Sequence, residues 1–223
     1  MEPPGRINGR PGAVYAVAKR AFDGAAALVG LLLLAPLLVL IALAVKLDSP
    51  GPVFFRQVRV GRHGRHFRIF KFRTMRVATA TATAGTEVAG ATQLTVAGDA
   101  RITRSGVWLR RSKLDELAQL IDVVRGTMSL VGPRPEVPHF VRHYPAEVRA
   151  RVLSVRPGIT DLASLHYRDE NELLARADDP QREYLEVILP AKLRYALDYV
   201  DHATFGGDLR ILAQTVRALV AKA

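Results

Sequence analysis

Cysteine is absent from this chain of 223 residues, so the chain can form neither a disulfide framework nor a thiolate metal site. That absence fits a protein that faces the cytoplasm. Histidine does not substitute for cysteine as a metal ligand, because His139, His143 and His166 are too widely spaced to indicate a zinc site.

Acidic residues are also scarce, since 21 Asp and Glu residues stand against 32 Lys and Arg residues. This imbalance predicts an anionic partner: nucleic acid, a phosphorylated small molecule or the acidic inner leaflet of a membrane. The sequence contains no recognisable DNA- or RNA-binding motif, which argues against nucleic acid.

Charge is missing altogether between Gly24 and Val45, a run of 22 residues without a strongly polar side chain. At about 1.5 Å per residue, a helix of this length could cross the hydrocarbon core of a bilayer. A cleaved signal peptide would have a shorter apolar region, so we predict a retained membrane anchor.

Pro36 lies near the middle of the apolar run, and basic residues stand on both sides of it. Proline in a helix interior costs about 3 kcal/mol and predicts a bend. Positively charged flanks normally stay in the cytoplasm, so the pattern favours a re-entrant anchor of two half-helices that bend at Pro36. A kinked helix that spans the membrane is the alternative.

Composition divides the chain into three parts. Residues 1–18 are rich in Pro and Gly and are predicted to be a flexible basic lead-in, residues 19–48 are the anchor, and residues 49–223 are the main domain. Within that domain, residues 77–98 are of low complexity and are predicted to be a mobile loop, with closure over a bound nucleotide left open.

A β-hairpin is predicted for Val53 to Val60 and Phe67 to Met75, two runs of apolar residues separated by a Gly-containing basic turn. Eight Lys or Arg residues and no acidic residue lie between Arg56 and Arg76. Most of them are expected to face lipid or solvent, namely Arg56, Arg59, Arg62, Arg65 and Arg68. Further on, helical periodicity recurs over residues 183–200 and 208–221, with a break at Gly206-Gly207.

Asp115 and Glu116 are adjacent carboxylates preceded by arginines. Apolar residues recur at helical spacing from Leu114, and Gly126 supplies a stop, so the pair falls in the first turn of a predicted amphipathic helix. Free backbone N–H groups there favour the ionised form, in which Asp can act as a nucleophile and Glu can hold a cation. Acidic residues also begin many helices that carry no chemistry.

Four short blocks strengthen the chemical interpretation. In order they are Lys71-Phe72-Arg73-Thr74-Met75, Leu114-Asp115-Glu116-Leu117, Ser129-Leu130-Val131-Gly132-Pro133-Arg134-Pro135 and Arg156-Pro157-Gly158-Ile159-Thr160. Through these blocks the chain resembles the bacterial sugar transferases, the monotopic polyprenyl-phosphate phosphoglycosyl transferases. The resemblance extends from about Lys19 to the C-terminus.

The resemblance implies that Asp115 attacks the β-phosphate of a UDP-sugar and releases UMP, after which a lipid phosphate takes the phosphosugar from the covalent intermediate. It also implies a Mg²⁺ cofactor with Glu116 as a ligand. Pro133 and Pro135 would support Arg134 by fixing the backbone on either side of it. The implied phosphate-binding residues are Lys71, Arg73, Arg110 and Arg134.

Nucleotide-sugar contacts are harder to assign, because Lys113, Ala118 and residues 161–164 depart from the commonest family pattern. These departures leave the sugar open. The candidate contacts are Thr160, Asp161, Tyr167, Arg168, Asp198 and Tyr199.

The expected fold is a helix-dominated α+β structure: a re-entrant N-terminal membrane helix and a compact catalytic domain with a small β-hairpin and interfacial amphipathic helices. The expected location is the bacterial inner membrane, with the catalytic domain facing the cytoplasm. Expected partners are a UDP-sugar, polyprenyl (undecaprenyl) phosphate and membrane lipids, with a homodimer as a further option. The activity would serve glycoconjugate or exopolysaccharide biosynthesis. The alternative is a non-catalytic membrane scaffold that binds anionic lipid or a partner protein.

Overall fold

The computed structural model describes residues 13–77 and 99–221, so the predicted mobile loop lies outside the described residues from position 78 onward. Within these ranges the protein is a helix-dominated α+β fold with two small two-stranded sheets. The expected fold class is confirmed at this level.

The first helix, α1 (Ala13–Asp48), begins inside the segment predicted to be a flexible lead-in, so residues 13–18 are helical instead. It continues through Pro36 as a single helix, whereas the sequence predicts two half-helices. Pro36 removes one backbone N–H donor, and packing against the domain on both sides of it holds the helix together. Within the described ranges, α1 is the one helix long and apolar enough to cross a membrane.

Both ends of α1 are bonded to the rest of the protein. Near the N-terminal end, Lys19 Nζ donates to Asp208 Oδ2 at 2.7 Å. At the C-terminal end, Asp48 Oδ2 accepts a hydrogen bond from Ser105 N at 2.7 Å. The helix therefore lies along the domain and does not project from it.

The face of α1 that points away from the domain is apolar and exposed. Its large exposed side chains include Leu28, Val29, Leu32, Leu33, Val39, Leu40 and Leu43. The opposite face supplies Ala27, Ile41 and Val45 to the core, where each is at most 3 % exposed. One helix thus has a protein-packed face and a face suited to lipid.

The predicted hairpin is present as β1 (Phe54–Val60) and β2 (His66–Phe72), which pair antiparallel. A short 3₁₀ turn, Arg62–Gly64, connects the strands. Residues that stand directly opposite each other, such as Phe55 and Lys71, point to the same face of the sheet.

The segment that carries the two carboxylates is more irregular than the predicted α-helix. After α2 (Arg104–Ser112), the chain forms a 3₁₀ helix (Leu114–Gln119) and then α3 (Leu120–Arg125). Lys113 separates α2 from the 3₁₀ helix with a left-handed backbone, φ 59°. Gly126 ends α3 at φ 80°, as the sequence predicts.

A second sheet, which the sequence does not predict, joins two of the motif blocks. Strands β3 (Ser129–Val131) and β4 (Gly158–Thr160) are parallel. Gly132 and Gly158 allow their close approach, since a Cβ atom on Gly158 would lie 2.1 Å from the Gly132 nitrogen.

Seven further helices follow in the described part of the chain. They are α4 (Pro138–Val141), α5 (Ala146–Val152), α6 (Leu162–His166), α7 (Glu170–Ala175), α8 (Pro180–Glu183), α9 (Leu189–His202) and α10 (Phe205–Val220). A π-helical turn, Tyr184–Ile188, joins α8 to α9. The break between α9 and α10 falls before Gly206-Gly207, because the side chain of Thr204 accepts a hydrogen bond from Gly207 N and begins α10 there.

Candidate active site

A cavity of about 530 Å³ lies between α1, the 3₁₀ helix of the two carboxylates and α10. Its basic lining residues are Arg59, Lys71, Arg110, Lys113, Arg134, Arg168 and Lys192. Its acidic lining residues are Asp115, Glu116, Glu136 and Glu170. A more open groove of about 590 Å³ beside the β1–β2 turn has no carboxylate among its described lining residues and so offers no comparable chemistry.

Asp115 is 1 % exposed, and within the described residues no group donates a hydrogen bond to either of its carboxylate oxygens. The ammonium of Lys71 lies 3.0 Å from Oδ2 and compensates the charge without hydrogen-bonding geometry. A buried carboxylate usually has hydrogen-bond donors, because burying it without them costs several kcal/mol. The lone pairs of Asp115 are therefore free to attack an electrophile or to bind a cation.

Glu116 is held from two sides. Arg134 grips it bidentately, with Nη2 to Oε1 at 2.6 Å and Nη1 to Oε2 at 3.2 Å. Lys71 Nζ lies 3.2 Å from Oε1. Burial alone would raise the pKa of Glu116, but Arg134 and Lys71 outweigh it and hold that pKa well below its usual range.

The carboxylate pair fits a Mg²⁺ ion in part. Within the described ranges no group of three or more His, Asp or Glu residues could hold a metal. Mg²⁺ in phosphate-handling sites often takes only one or two carboxylates and completes its shell with water and phosphate oxygens. The free oxygens of Asp115 suit this better than those of Glu116, which already accept from Arg134.

Lys113, two residues before Asp115, also lines the cavity. Burial lowers the pKa of its ammonium, an effect that Glu116 partly opposes. Its left-handed backbone costs of order 1 kcal/mol for a residue that has a Cβ atom. This turn brings Asp115 and Glu116, both on the 3₁₀ helix, against Lys71 on β2.

Arg134 is positioned through its backbone. Its N–H donates to Asp161 Oδ2 at 3.1 Å, and Gly158 N donates to the Pro133 carbonyl at 3.0 Å. Asp161 also caps α6 by accepting from Ser164 N at 2.6 Å. Asp161, predicted as a sugar contact, instead ties the Pro133-Arg134-Pro135 turn to α6. Glu116 raises the pKa of Arg134.

Arg110 lines the cavity, as a phosphate-binding residue should. Its Nε donates to Thr74 Oγ1 at 2.9 Å, which fixes the guanidinium from its rear edge. Burial lowers the pKa of Arg110, and the nearby Asp115 opposes this effect. The geometry leaves the guanidinium in reach of an anion in the cavity.

Arg73 does not line the cavity. Its guanidinium is buried and donates to the carbonyl oxygens of Val45 at 3.2 Å, Ser49 at 2.7 Å and Pro50 at 2.5 Å. These carbonyls close the C-terminal end of α1, where helix carbonyls lack backbone partners. This position favours a helix-capping role over the predicted phosphate contact.

The other predicted nucleotide-sugar contacts divide into two groups. Thr160, Tyr167 and Arg168 line the cavity. Asp198 and Tyr199 do not: Asp198 is exposed and pairs with His202, while Tyr199 is buried and donates to Asp208 Oδ1 at 2.9 Å. For these two residues the structure does not support the predicted contact.

The cavity residues that the sequence does not predict as site residues include Arg59, Glu136, Tyr184 and Lys192. Arg59 Nη1 donates to the Pro135 carbonyl at 3.0 Å, and Tyr184 donates to Glu136 Oε1 at 2.7 Å. Arg59, expected to face lipid or solvent, could have been found from alternation along β1. It lies four residues after Phe55 on the same strand face, and Phe55 stands opposite Lys71.

The chain matches the bacterial sugar transferase family over residues 14–222. It is 40% identical over 221 residues to a UDP-glucose:undecaprenyl-phosphate glucose-1-phosphate transferase from Xanthomonas campestris pv. campestris, covering 96% of this chain and 42% of that protein. It is 36% identical to a UDP-N-acetylgalactosamine-undecaprenyl-phosphate N-acetylgalactosaminephosphotransferase from Aeromonas hydrophila, covering 94% of this chain and 45% of that protein.

A third relative is the exopolysaccharide production protein PSS of Rhizobium leguminosarum bv. phaseoli, 38% identical over 90% of this chain and 94% of that protein. The chain thus spans less than half of the two transferases above and nearly all of this third relative. The two transferases are named for different sugars, so the likeness alone does not select one.

Proposed function

Because the chain belongs to the bacterial sugar transferase family, we propose that it is a membrane enzyme that transfers a sugar phosphate from a UDP-sugar to polyprenyl phosphate. The names of the relatives support this substrate pair and a place in exopolysaccharide synthesis. The observation that carries the proposal is the buried carboxylate of Asp115, which accepts no hydrogen bond from the described residues and lies in a cavity rich in basic residues.

In the first step, an oxygen of Asp115 attacks the β-phosphorus of the UDP-sugar. The bond from that phosphorus to the bridging oxygen breaks, UMP leaves with the electron pair, and an aspartyl phosphosugar remains. Lys71, 3.0 Å from Asp115, compensates the charge of the carboxylate and offsets the charge of the approaching phosphate. Arg110 and Lys113 add positive charge on the same wall.

In the second step, an oxygen of the lipid phosphate attacks the same phosphorus and Asp115 leaves as a carboxylate. The products are UMP and a polyprenyl-diphosphate-linked sugar, and the enzyme returns to its starting state. Direct attack of the lipid phosphate on the UDP-sugar would bring two anionic substrates together in one displacement. Covalent catalysis divides this displacement into two easier steps.

Two N–H groups of Arg134 donate to Glu116, so only its other N–H groups can donate to a phosphate. We assign Glu116 to holding Arg134 and Lys71 in place, with the remaining N–H groups of Arg134 turned to phosphate. A Mg²⁺ ion bound at the carboxylate pair would neutralise pyrophosphate charge.

The anchor delivers the lipid substrate. Both ends of α1 are bonded to the domain, so we infer that both ends lie on one side of the membrane although the helix is unbroken at Pro36. The basic flanks favour the cytoplasmic side, where UDP-sugars occur. A prenyl chain then stays in the bilayer while its phosphate reaches the cavity.

The test is a burst of UMP. Purified protein in nanodiscs without polyprenyl phosphate should release about one UMP per active site from a cognate UDP-sugar and gain the mass of one phosphosugar in intact-protein mass spectrometry. Asp115→Asn should abolish both signals, because the amide keeps the shape but loses the nucleophile. Asp198→Asn, a carboxylate change outside the cavity, is the matched control and should leave both intact.

Wild-type-like bursts from Asp115→Asn would remove Asp115 from the nucleophilic role. Failure of the unmodified protein to release UMP from any of a panel of UDP-sugars, with or without polyprenyl phosphate, would instead support the non-catalytic scaffold.

A further inference from the structure

The cavity changes character along its length. Its end near Asp115 is charged, whereas the part between α1 and α10 is apolar. The apolar walls comprise Gly30, Leu34, Leu120, Leu130, Leu212 and Leu219. Gly30 has no side chain, and a Cβ atom there would meet only Leu120 Cδ1, at 3.4 Å. The groove is therefore open where α1 passes it.

Helix α10 is fixed as the second wall of this groove. Thr215 Oγ1 donates its proton to the Ile211 carbonyl at 2.8 Å. It therefore accepts the second hydrogen bond, which Thr160 Oγ1 on β4 donates at 2.8 Å. Arg168 also donates to the Ala218 carbonyl. Both partners, Thr160 and Arg168, also line the cavity, and Val216 on α10 lies between the two attachment points and is 59% exposed.

The groove meets α1 in the middle of its most apolar stretch. Leu34 lines the cavity, while its neighbours Leu32 and Leu33 point outward and are 68% and 76% exposed. A path thus runs from the lipid-facing side of α1 to the carboxylate pair, apolar at one end and cationic at the other. Charge and polarity change along it as they do along a lipid phosphate.

The geometry points to this groove, hereafter the α1–α10 groove, as the site of the first isoprenoid units of the acceptor, with Gly30 and Leu34 on one side and Val216 and Leu219 on the other. The assignment rests on the proposed function. A UDP-sugar has no apolar segment to match these walls. It fits the polar part lined by Arg59, Glu136, Tyr184 and Lys192.

The experiment compares neighbouring residues on α1. Leu34→Trp should fill the groove and raise the KM for undecaprenyl phosphate by at least about fivefold, the loss expected when about one methylene group of the acceptor is no longer buried. The UMP burst from the UDP-sugar alone should be unchanged, because that step does not use the groove. Leu33→Trp adds the same bulk on the outward face and should leave both quantities unchanged.

A second pair protects the result against misfolding of the α1 variant. Val216→Trp on the opposite wall should reproduce the rise in acceptor KM, and Leu209→Trp, exposed on α10 but outside the cavity, should not. Thermal unfolding midpoints of all four variants identify any that are misfolded.

Equal acceptor KM values within both pairs would overturn the assignment while the UMP burst still upheld the proposed function. A reduced burst with an unchanged acceptor KM would indicate that the groove binds the UDP-sugar and would also overturn the assignment. Absence of a burst and of lipid-dependent turnover in the unmodified protein would be a failure of the proposed function itself.

Discussion

At the scale of single residues, the site contrasts two neighbouring carboxylates. Lys71 lies near both, at 3.0 Å from Asp115 and 3.2 Å from Glu116. Arg134 donates two hydrogen bonds to Glu116, whereas no described residue donates one to Asp115. The proposed reactivity of Asp115 rests on this difference in hydrogen bonding, which adjacency in sequence does not reveal.

Arg134→Lys should test the bidentate grip. Lysine keeps the charge but cannot donate two parallel hydrogen bonds to Glu116, so kcat/KM should fall about 10- to 100-fold, the effect of losing one charged hydrogen bond. Steady-state UMP release measures this. Arg142→Lys, outside the cavity on the domain surface, is the control, and equal losses in both variants would contradict a specific clamp.

At the scale of elements, local sequence patterns predict individual helices and strands, but they do not predict which distant segments pair. The hairpin and the end of α3 at Gly126 could be predicted because alternation and a left-handed glycine act over a few residues. Strands β3 and β4 are three residues each, and α4 and α5 lie between them in the chain. Strands this short and this far apart leave no local pattern that would predict them. The left-handed turn at Lys113 likewise depends on the packing around it.

The role of Arg73 shows the same limit within a motif. Arg73 lies two residues after Lys71, and residues at that spacing share a face while a strand continues, so the motif suggests a common function. Strand β2 ends at Phe72, however, and Arg73 beyond it reaches the end of α1. The residues predicted as catalytic or phosphate-binding that do line the cavity are Lys71, Arg110, Asp115, Glu116 and Arg134.

Arg73→Met should reveal this structural role. Removing the guanidinium leaves three carbonyls at the end of α1 without their donor, which should lower the free energy of unfolding by about 2–4 kcal/mol. Thermal unfolding in nanodiscs measures this, and the KM for the UDP-sugar in the folded fraction should stay unchanged. A raised KM with unchanged stability would restore the predicted phosphate contact.

At the scale of the whole molecule, the position of α1 sets the topology. The sequence predicts the apolar segment and its basic flanks, but the alignment of α1 along the domain depends on contacts with residues far along the chain, such as Asp208. Composition cannot show those contacts.

Labelling of single cysteines should decide the topology, since the chain has no cysteine of its own. Arg10→Cys and Arg65→Cys should both resist a membrane-impermeant thiol reagent in intact cells and both react after lysis. Pro36→Ala is expected to move some molecules to a spanning arrangement, because it restores a helix hydrogen bond. Labelling of position 10 alone in intact cells would establish an ordinary spanning anchor.

The bonding of α1 to the domain also bears on how the protein is made. Lys19 emerges from the ribosome 189 residues before Asp208, its partner. During that interval the inner face of α1, with Ala27, Ile41 and Val45, has no domain to cover it. The domain can therefore cover this face of α1 only after most of the chain has been made. Removing α1 to obtain a soluble fragment would take away part of the hydrophobic core as well as the exposed apolar face.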